Sequence, residues 1–177
     1  IIRNKTASLL ASACAAGAWS SCNDDATTEK IRLFGEKTGM AFQIKDDLFD
    51  YASEKIGKPT GNDIKEKKLT LPLIYTLNKV SLSTKRELIY TIKNENKDPQ
   101  KVRFVIDAVI DAGGIKYASE KMNTYRDEAL EILNSFPENM IVESVNGRIE
   151  GTFSYGESDT IVIFTPLTNY NQAEYYS

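Results

Sequence analysis

Apolar residues recur at helical spacing along most of the chain. Ile31, Phe34, Met40, Ile44 and Leu48 mark one stripe, and Asn23-Asp24-Asp25 stands where a cap for that helix belongs, so a helix is predicted from there to about Tyr51. Residues 1–18 are dense in Ala, Ser and Leu, and are expected to form a buried helix ending near Gly17, with small side chains that admit a close neighbour. Residues 53–68 are polar and broken by Gly57, Pro59 and Gly61, which reads as a long loop. Residues 71–77, with Pro72 in the first turn, begin the next helix, and residues 84–93 form another after a Ser-Leu-Ser link. Asp98-Pro99 starts a further one, where Val102, Val105, Ile106, Val109 and Ile110 keep helical spacing as far as Gly113-Gly114. Ala118, Met122, Tyr125 and Ala129 continue the pattern over residues 115–133.

Beyond Pro137 the period changes. Residues 140–145 and 148–153 flank Asn146-Gly147, a strong hairpin signal, and residues 160–165 form a third β-branched run. A small β-meander is expected there, followed by a polar, tyrosine-rich end without a periodic face, expected to lack order.

Composition narrows the chemistry. The chain has 177 residues, enough for one principal domain, and its net charge of −3 supplies no basic surface for nucleic acid. Histidine is missing altogether, which excludes Ser-His-Asp catalysis and His-ligated zinc and leaves carboxylates as the main chemical groups. Cys14 and Cys22 match no zinc spacing and read as reduced thiols in a cytoplasmic protein. No stretch approaches the roughly 20 apolar residues of a membrane span, and the opening segment reads as a patterned helix rather than a signal peptide. With no initiator methionine, the sequence is expected to begin inside a larger protein.

The densest functional text is Gly39-Met40-Ala41-Phe42-Gln43-Ile44-Lys45-Asp46-Asp47-Leu48-Phe49-Asp50-Tyr51. On a helix, Gln43, Asp46, Asp47 and Asp50 share a face. Like charges gathered in this way are costly unless a hard cation neutralises them, and magnesium characteristically takes one or two carboxylates together with water and phosphate oxygens. A solvated acidic face is the alternative reading of the bare motif. Lys58 and Lys68, in the polar loop just beyond, are placed to meet phosphates.

Residues 39–51 resemble the second aspartate-rich motif of the trans-isoprenyl diphosphate synthases, the farnesyl and geranylgeranyl diphosphate synthase family. Three further segments resemble the family in the same order: Lys5-Thr6-Ala7, then Gly57-Lys58-Pro59-Thr60-Gly61-Asn62-Asp63-Ile64, then Lys68-Leu69-Thr70-Leu71-Pro72. Gly113-Gly114-Ile115 with Tyr117-Ala118 fits the family's later helix pair. The resemblance covers about residues 1–137. It implies an all-α fold, part of an isoprenoid-synthase helical bundle occupying residues 1–138, with residues 139–177 a non-family tail that is either a small fused module or the product of a frameshift or fragment assembly.

The resemblance also implies an activity: a Mg2+-dependent prenyltransferase condensing an allylic diphosphate with isopentenyl diphosphate. Asp46, Asp47 and Asp50 would serve the metal, Lys5, Lys58 and Lys68 would grip the diphosphate, and Thr6 and Gln43 would face the growing carbocation. Residues 1–177 contain neither the family's first aspartate-rich motif nor its N-terminal arginines, because Asn23-Asp24-Asp25-Ala26-Thr27-Thr28 puts Thr28 where an aspartate is required. The segment is therefore expected to be inactive alone, and a homodimer is expected of the full-length protein. A non-catalytic helical subunit or regulator is the alternative. A class I terpene cyclase fits less well, since it would not need the elements at 57–63 and 68–72.

Overall fold

The computed structural model describes residues 3–51, 61–136, 141–145, 148–155 and 158–162, the last three ranges at the level of the backbone. The first two ranges are helical throughout, apart from turns. A π-helical turn, Arg3–Ala7, runs into α1 (Ser8–Cys22), followed by α2 (Asp25–Phe49), α3 (Asn62–Lys65), α4 (Leu71–Lys79), α5 (Leu82–Asn94), α6 (Pro99–Asp111) and α7 (Gly114–Asn134). These elements fall into two compact units, residues 1–42 with 124–177 and residues 43–123.

In the first unit α1 lies against α2 with almost no side chain between them. A Cβ at Gly35 would stand 2.7 Å from the Leu10 carbonyl oxygen, and one at Gly39 would stand 2.6 Å from the Ala7 Cα. The two glycines, four apart on one face of α2, are what permits that approach. Ala7 and Ala11 are buried, while Leu9 and Trp19 are exposed, so α1 is not the buried helix its composition suggested. Its apolar positions run around the whole helix, and within it burial falls on Ala11.

Nor does α1 stop at Gly17. It continues to Cys22 and ends at Asn23, whose left-handed conformation (φ 47°) lets its N–H donate to the Trp19 carbonyl at 3.1 Å. Asp24 then caps α2, accepting from the Thr27 N–H at 2.8 Å. Phe34 packs with Ala129 and Leu133 of α7 in a small core that Cys14 borders. Lys37 adds an ion pair to Glu128 at 2.5 Å.

The second unit holds the larger core. Val102, Val105, Ile106 and Val109 present one stripe of α6 to Leu73, Leu88, Ile92, Ile64 and Tyr51. Each of these large side chains contributes on the order of 1.5–3 kcal/mol by leaving water. Local signals set the helix ends: Ser81 caps α5 through the Thr84 N–H at 3.2 Å, and Asp98 caps α6 through the Gln100 N–H at 2.8 Å. Gly113 takes φ 77° between α6 and α7. At Gly114 a Cβ would meet the Pro72 carbonyl oxygen at 2.7 Å, so a glycine is needed where α7 starts against α4.

Two sequence expectations change here. The polar stretch before α4 is not all loop, since residues 62–65 make one helical turn, α3. The tail carries a three-stranded antiparallel meander, β1 (Ile141–Val145), β2 (Arg148–Tyr155) and β3 (Ser158–Val162), in the order β1-β2-β3. Val145 pairs with Arg148, and Tyr155 pairs with Ser158. The third run is thus shifted from the expected 160–165 to Ser158–Val162, with Ser158 paired to Tyr155.

Candidate functional site

The C-terminal end of α2 places Gln43, Asp46, Asp47, Asp50 and Tyr51 beside the strap formed by residues 61–71. Asp46 is exposed, and its Oδ2 lies 3.4 Å from the buried Gln43 Nε2. Asp47 is half-buried and accepts from the Leu71 N–H at 3.4 Å, at the first residue of α4. Burial pushes the Asp47 carboxyl above the ordinary aspartate range. The Leu71 N–H and Gln43 pull it back, and the charges of Asp63 and Asp46 push it further up.

Asp50 is engaged more tightly. Its Oδ1 accepts from the Asn62 N–H at 2.8 Å, its Oδ2 from the Asp63 N–H at 2.9 Å, and its backbone carbonyl from the Gly61 N–H at 2.9 Å. Burial raises this carboxyl too, against the pull of the two amides. Next to it, the Tyr51 hydroxyl lies 2.6 Å from Thr70 Oγ1 in a buried pair, and burial drives the phenol well above its usual range.

The far side of the strap is fastened as well. Lys67, at φ 58°, donates from Nζ to the Lys93 carbonyl at 2.7 Å, and Asn96 Nδ2 donates to the Lys65 carbonyl at 2.5 Å. A Cβ at Gly61 would fall 2.5 Å from Val102 Cγ1, so the strap touches α6 through bare backbone. Lys68 Nζ pairs with Asp63 at 3.0 Å and Glu66 at 2.7 Å, and these carboxylates raise its ammonium above the ordinary lysine range. Lys45 goes the other way, lowered by burial.

Of the residues singled out from sequence, Gln43, Asp46, Asp47, Asp50 and Lys68 all belong to the second unit, and Lys5 and Thr6 to the first. Lys5 is exposed and Thr6 half-buried, on the π-helical turn whose Ala7 packs on Gly39. Lys58 lies outside the described residues. Sequence reasoning gave no role to Tyr51, Asp63 or Asn96. Tyr51 and Asp63 stood inside the quoted motifs, whereas no sequence signal ties Asn96 to the carbonyl of Lys65.

Hard oxygen donors suit a hard cation. Burial, and after it the charges of Asp63 and Asp46, push up the Asp47 carboxyl, and a divalent ion would favour its charged form. Among the described residues no three acidic or metal-binding side chains are gathered closely enough to hold an ion by themselves. Substrate phosphates, water or further protein ligands would have to complete the shell.

Within the described residues of 3–136, an all-helical setting thus brings an aspartate-rich helix end beside a lysine-bearing strap. The family model described as polyprenyl synthetase matches residues 1–109, and the chain belongs to that family. It is 32% identical over 140 residues to heptaprenyl diphosphate synthase component 2 of Geobacillus stearothermophilus, a match covering 78% of this chain and 42% of the relative. It is 34% identical over 135 residues to the chloroplastic solanesyl diphosphate synthase 1 of Arabidopsis thaliana, over 75% of this chain and 32% of that one. Among solved structures, the geranylgeranyl pyrophosphate synthase of Bacteroides thetaiotaomicron superposes with a TM-score of 0.68 at 36% identity, covering 77% of this chain and 44% of the other. The Caulobacter crescentus polyprenyl synthase, complexed with calcium and isoprenyl diphosphate, gives 0.69 at 34% identity over 78% and 43%. The chain thus spans less than half the length of these relatives. Among the described residues no helix is long and apolar enough to cross a membrane.

Proposed function

We propose that residues 1–138 form the C-terminal portion of a prenyl-chain-elongating transferase, which joins an allylic diphosphate to isopentenyl diphosphate. The observation that carries this reading is the pairing of exposed Asp46 with half-buried Asp47 on one turn of α2, in a chain of the polyprenyl synthetase family. These two carboxylates would hold Mg2+, which when bound supplies positive charge to the departing diphosphate. The relative solved with an isoprenyl diphosphate contains calcium, another hard divalent ion.

Lys5 and Lys58, and Lys68 once released from Asp63 and Glu66, would bind the diphosphate oxygens. Gln43 and Thr6 would face the allylic carbons. The allylic carbon–oxygen bond breaks, the double bond of isopentenyl diphosphate supplies the electron pair for the new carbon–carbon bond, and the proton released is taken by a diphosphate oxygen. A shielded helical cavity would keep water from the cation. The full-length protein would act as a cytoplasmic homodimer, and residues 139–177 would be a tail foreign to the family.

Calorimetry of this chain with Mg2+ and an allylic diphosphate tests the reading. The wild type should give a metal-dependent heat, and Asp46→Ala should weaken binding by at least about tenfold. Equal heats from the two proteins would remove the site.

A further inference from the structure

We propose that Asp50 is a positioning residue, a latch that holds the strap of residues 61–71 by accepting two successive backbone amides, and that it does not serve as a metal ligand. This deepens the reading above and rests on it only for what the latch serves. Asp46, Asp47 and Asp50 share one face of α2, yet their carboxylates meet different partners. Asp46 is exposed, with Gln43 Nε2 at a long 3.4 Å. Asp50 lies one turn further on, and both of its oxygens are committed, to Asn62 N–H at 2.8 Å and Asp63 N–H at 2.9 Å.

The geometry is that of an N-terminal helix cap supplied from another helix. Gly61, which occupies the capping position of α3, has no side chain to offer its first amides, and Asp50 takes that role from 12 and 13 residues upstream. Each oxygen keeps a second lone pair, but a cation drawn to either one would compete with an amide for the same acceptor. The main chain repeats the fastening, since the Gly61 N–H donates to the Asp50 carbonyl at 2.9 Å.

Three more contacts show what the latch secures. Tyr51 holds Thr70 at 2.6 Å, Asn96 holds the Lys65 carbonyl at 2.5 Å, and Lys67 holds the Lys93 carbonyl at 2.7 Å. The strap carries Asp63 with its paired Lys68, and it ends at the Leu71 amide that meets Asp47. Releasing Asp50 would free the end of the strap that follows α2 and let the Leu71 amide drift from Asp47.

Hydrogen exchange resolved at single amides, combined with titration by Mg2+ plus inorganic diphosphate, tests the latch in the whole chain. Without metal, Asp50→Ala should speed exchange at Asn62 and Asp63 by at least about tenfold while α6 amides such as Val109 keep their protection. Asp50→Asn, nearly isosteric and able to accept one of the two bonds, should slow that exchange again. It should also recover much of the diphosphate affinity that Asp50→Ala loses, because a latch needs an acceptor and not a charge.

Unchanged exchange in Asp50→Ala would overturn the proposal. So would an Asp50→Asn variant that binds as poorly as Asp50→Ala, or a wild type whose Asn62 and Asp63 amides exchange faster once Mg2+ and diphosphate are added. If Asp50→Ala does not fold, the metal-free exchange of Asp50→Asn decides, with wild-type rates at both amides counting against the latch. If the wild type ignores Mg2+ and diphosphate altogether, the functional reading fails, and the latch still stands or falls on the metal-free rates.

Discussion

Tyr51 and Thr70 share one buried hydrogen bond, 2.6 Å from hydroxyl to hydroxyl, that joins the end of α2 to the residue preceding α4. Both residues are at least nine-tenths buried, so neither hydroxyl has water as a ready substitute. Tyr51→Phe keeps the ring in its core cluster and leaves Thr70 without this partner, at a cost of about 1–2 kcal/mol. Urea denaturation of Tyr51→Phe, Thr70→Val and the double variant should give a coupling of about 1 kcal/mol. Additive costs would mean that the pair contributes nothing beyond packing.

The α1–α2 contact predicts opposite outcomes for one chemical change. Gly39→Ala puts a methyl group 2.6 Å from the Ala7 Cα, and since the obstacle is backbone the helices must part, at a cost of about 1–3 kcal/mol. Gly17 lies inside α1, is exposed, and has nothing within 4 Å of its would-be Cβ. Gly17→Ala should therefore stabilise the protein by up to about 1 kcal/mol through backbone entropy and helix propensity. Thermal melts of the two variants should move in opposite directions.

The cap of α6 is a simpler case. Asp98 Oδ1 accepts from the Gln100 N–H at 2.8 Å and lies 3.4 Å from the Lys101 N–H, with Pro99 beginning the helix. Asp98→Ala should cost about 1 kcal/mol in denaturant titrations, and Asp98→Asn should restore most of it. A full loss in Asp98→Asn would show that charge, and not the acceptor oxygen, sets the contribution.

What could be read from sequence follows the range of the forces involved. Asp98-Pro99, Ser81 and the 3–4 spacing of Val102, Val105, Ile106 and Val109 act within one or two helical turns, so the chain text shows them directly. The acidic face of α2 was visible for the same reason. The division of labour on that face was not, because it depends on amides 12, 13 and 24 residues away returning to Asp50 and Asp47. The end of α1 was misplaced because an internal glycine costs a helix only about 1 kcal/mol and does not by itself end it. Here the Ser20 and Ser21 hydroxyls both bond its carbonyl at 2.9 Å, and the turn waits for Asn23.

The clearest pH dependence belongs to Glu36. Its side chain is 14% exposed and lies between two guanidinium groups, Arg3 Nε at 2.8 Å and Arg32 Nη1 at 2.9 Å. Burial pushes its carboxyl up, but the hydrogen bonds and charges of Arg32 and Arg3 outweigh this and hold it below the ordinary glutamate range. A carboxyl depressed in the folded state binds fewer protons there than in the unfolded chain. Its contribution is therefore complete above the unfolded value of about 4.3 and is lost as pH falls through the folded value. Glu29 shares Arg32 and is lowered in the same direction, but it is exposed and its share is screened. Wild-type stability should decline on acidification below pH of about 4.3, whereas Glu36→Gln should be less stable at neutral pH by about 1–2 kcal/mol and flatter across that window. Parallel curves for the two proteins would show that the acid response arises elsewhere, and Glu29→Gln, measured alongside, would show whether Arg32 transmits it.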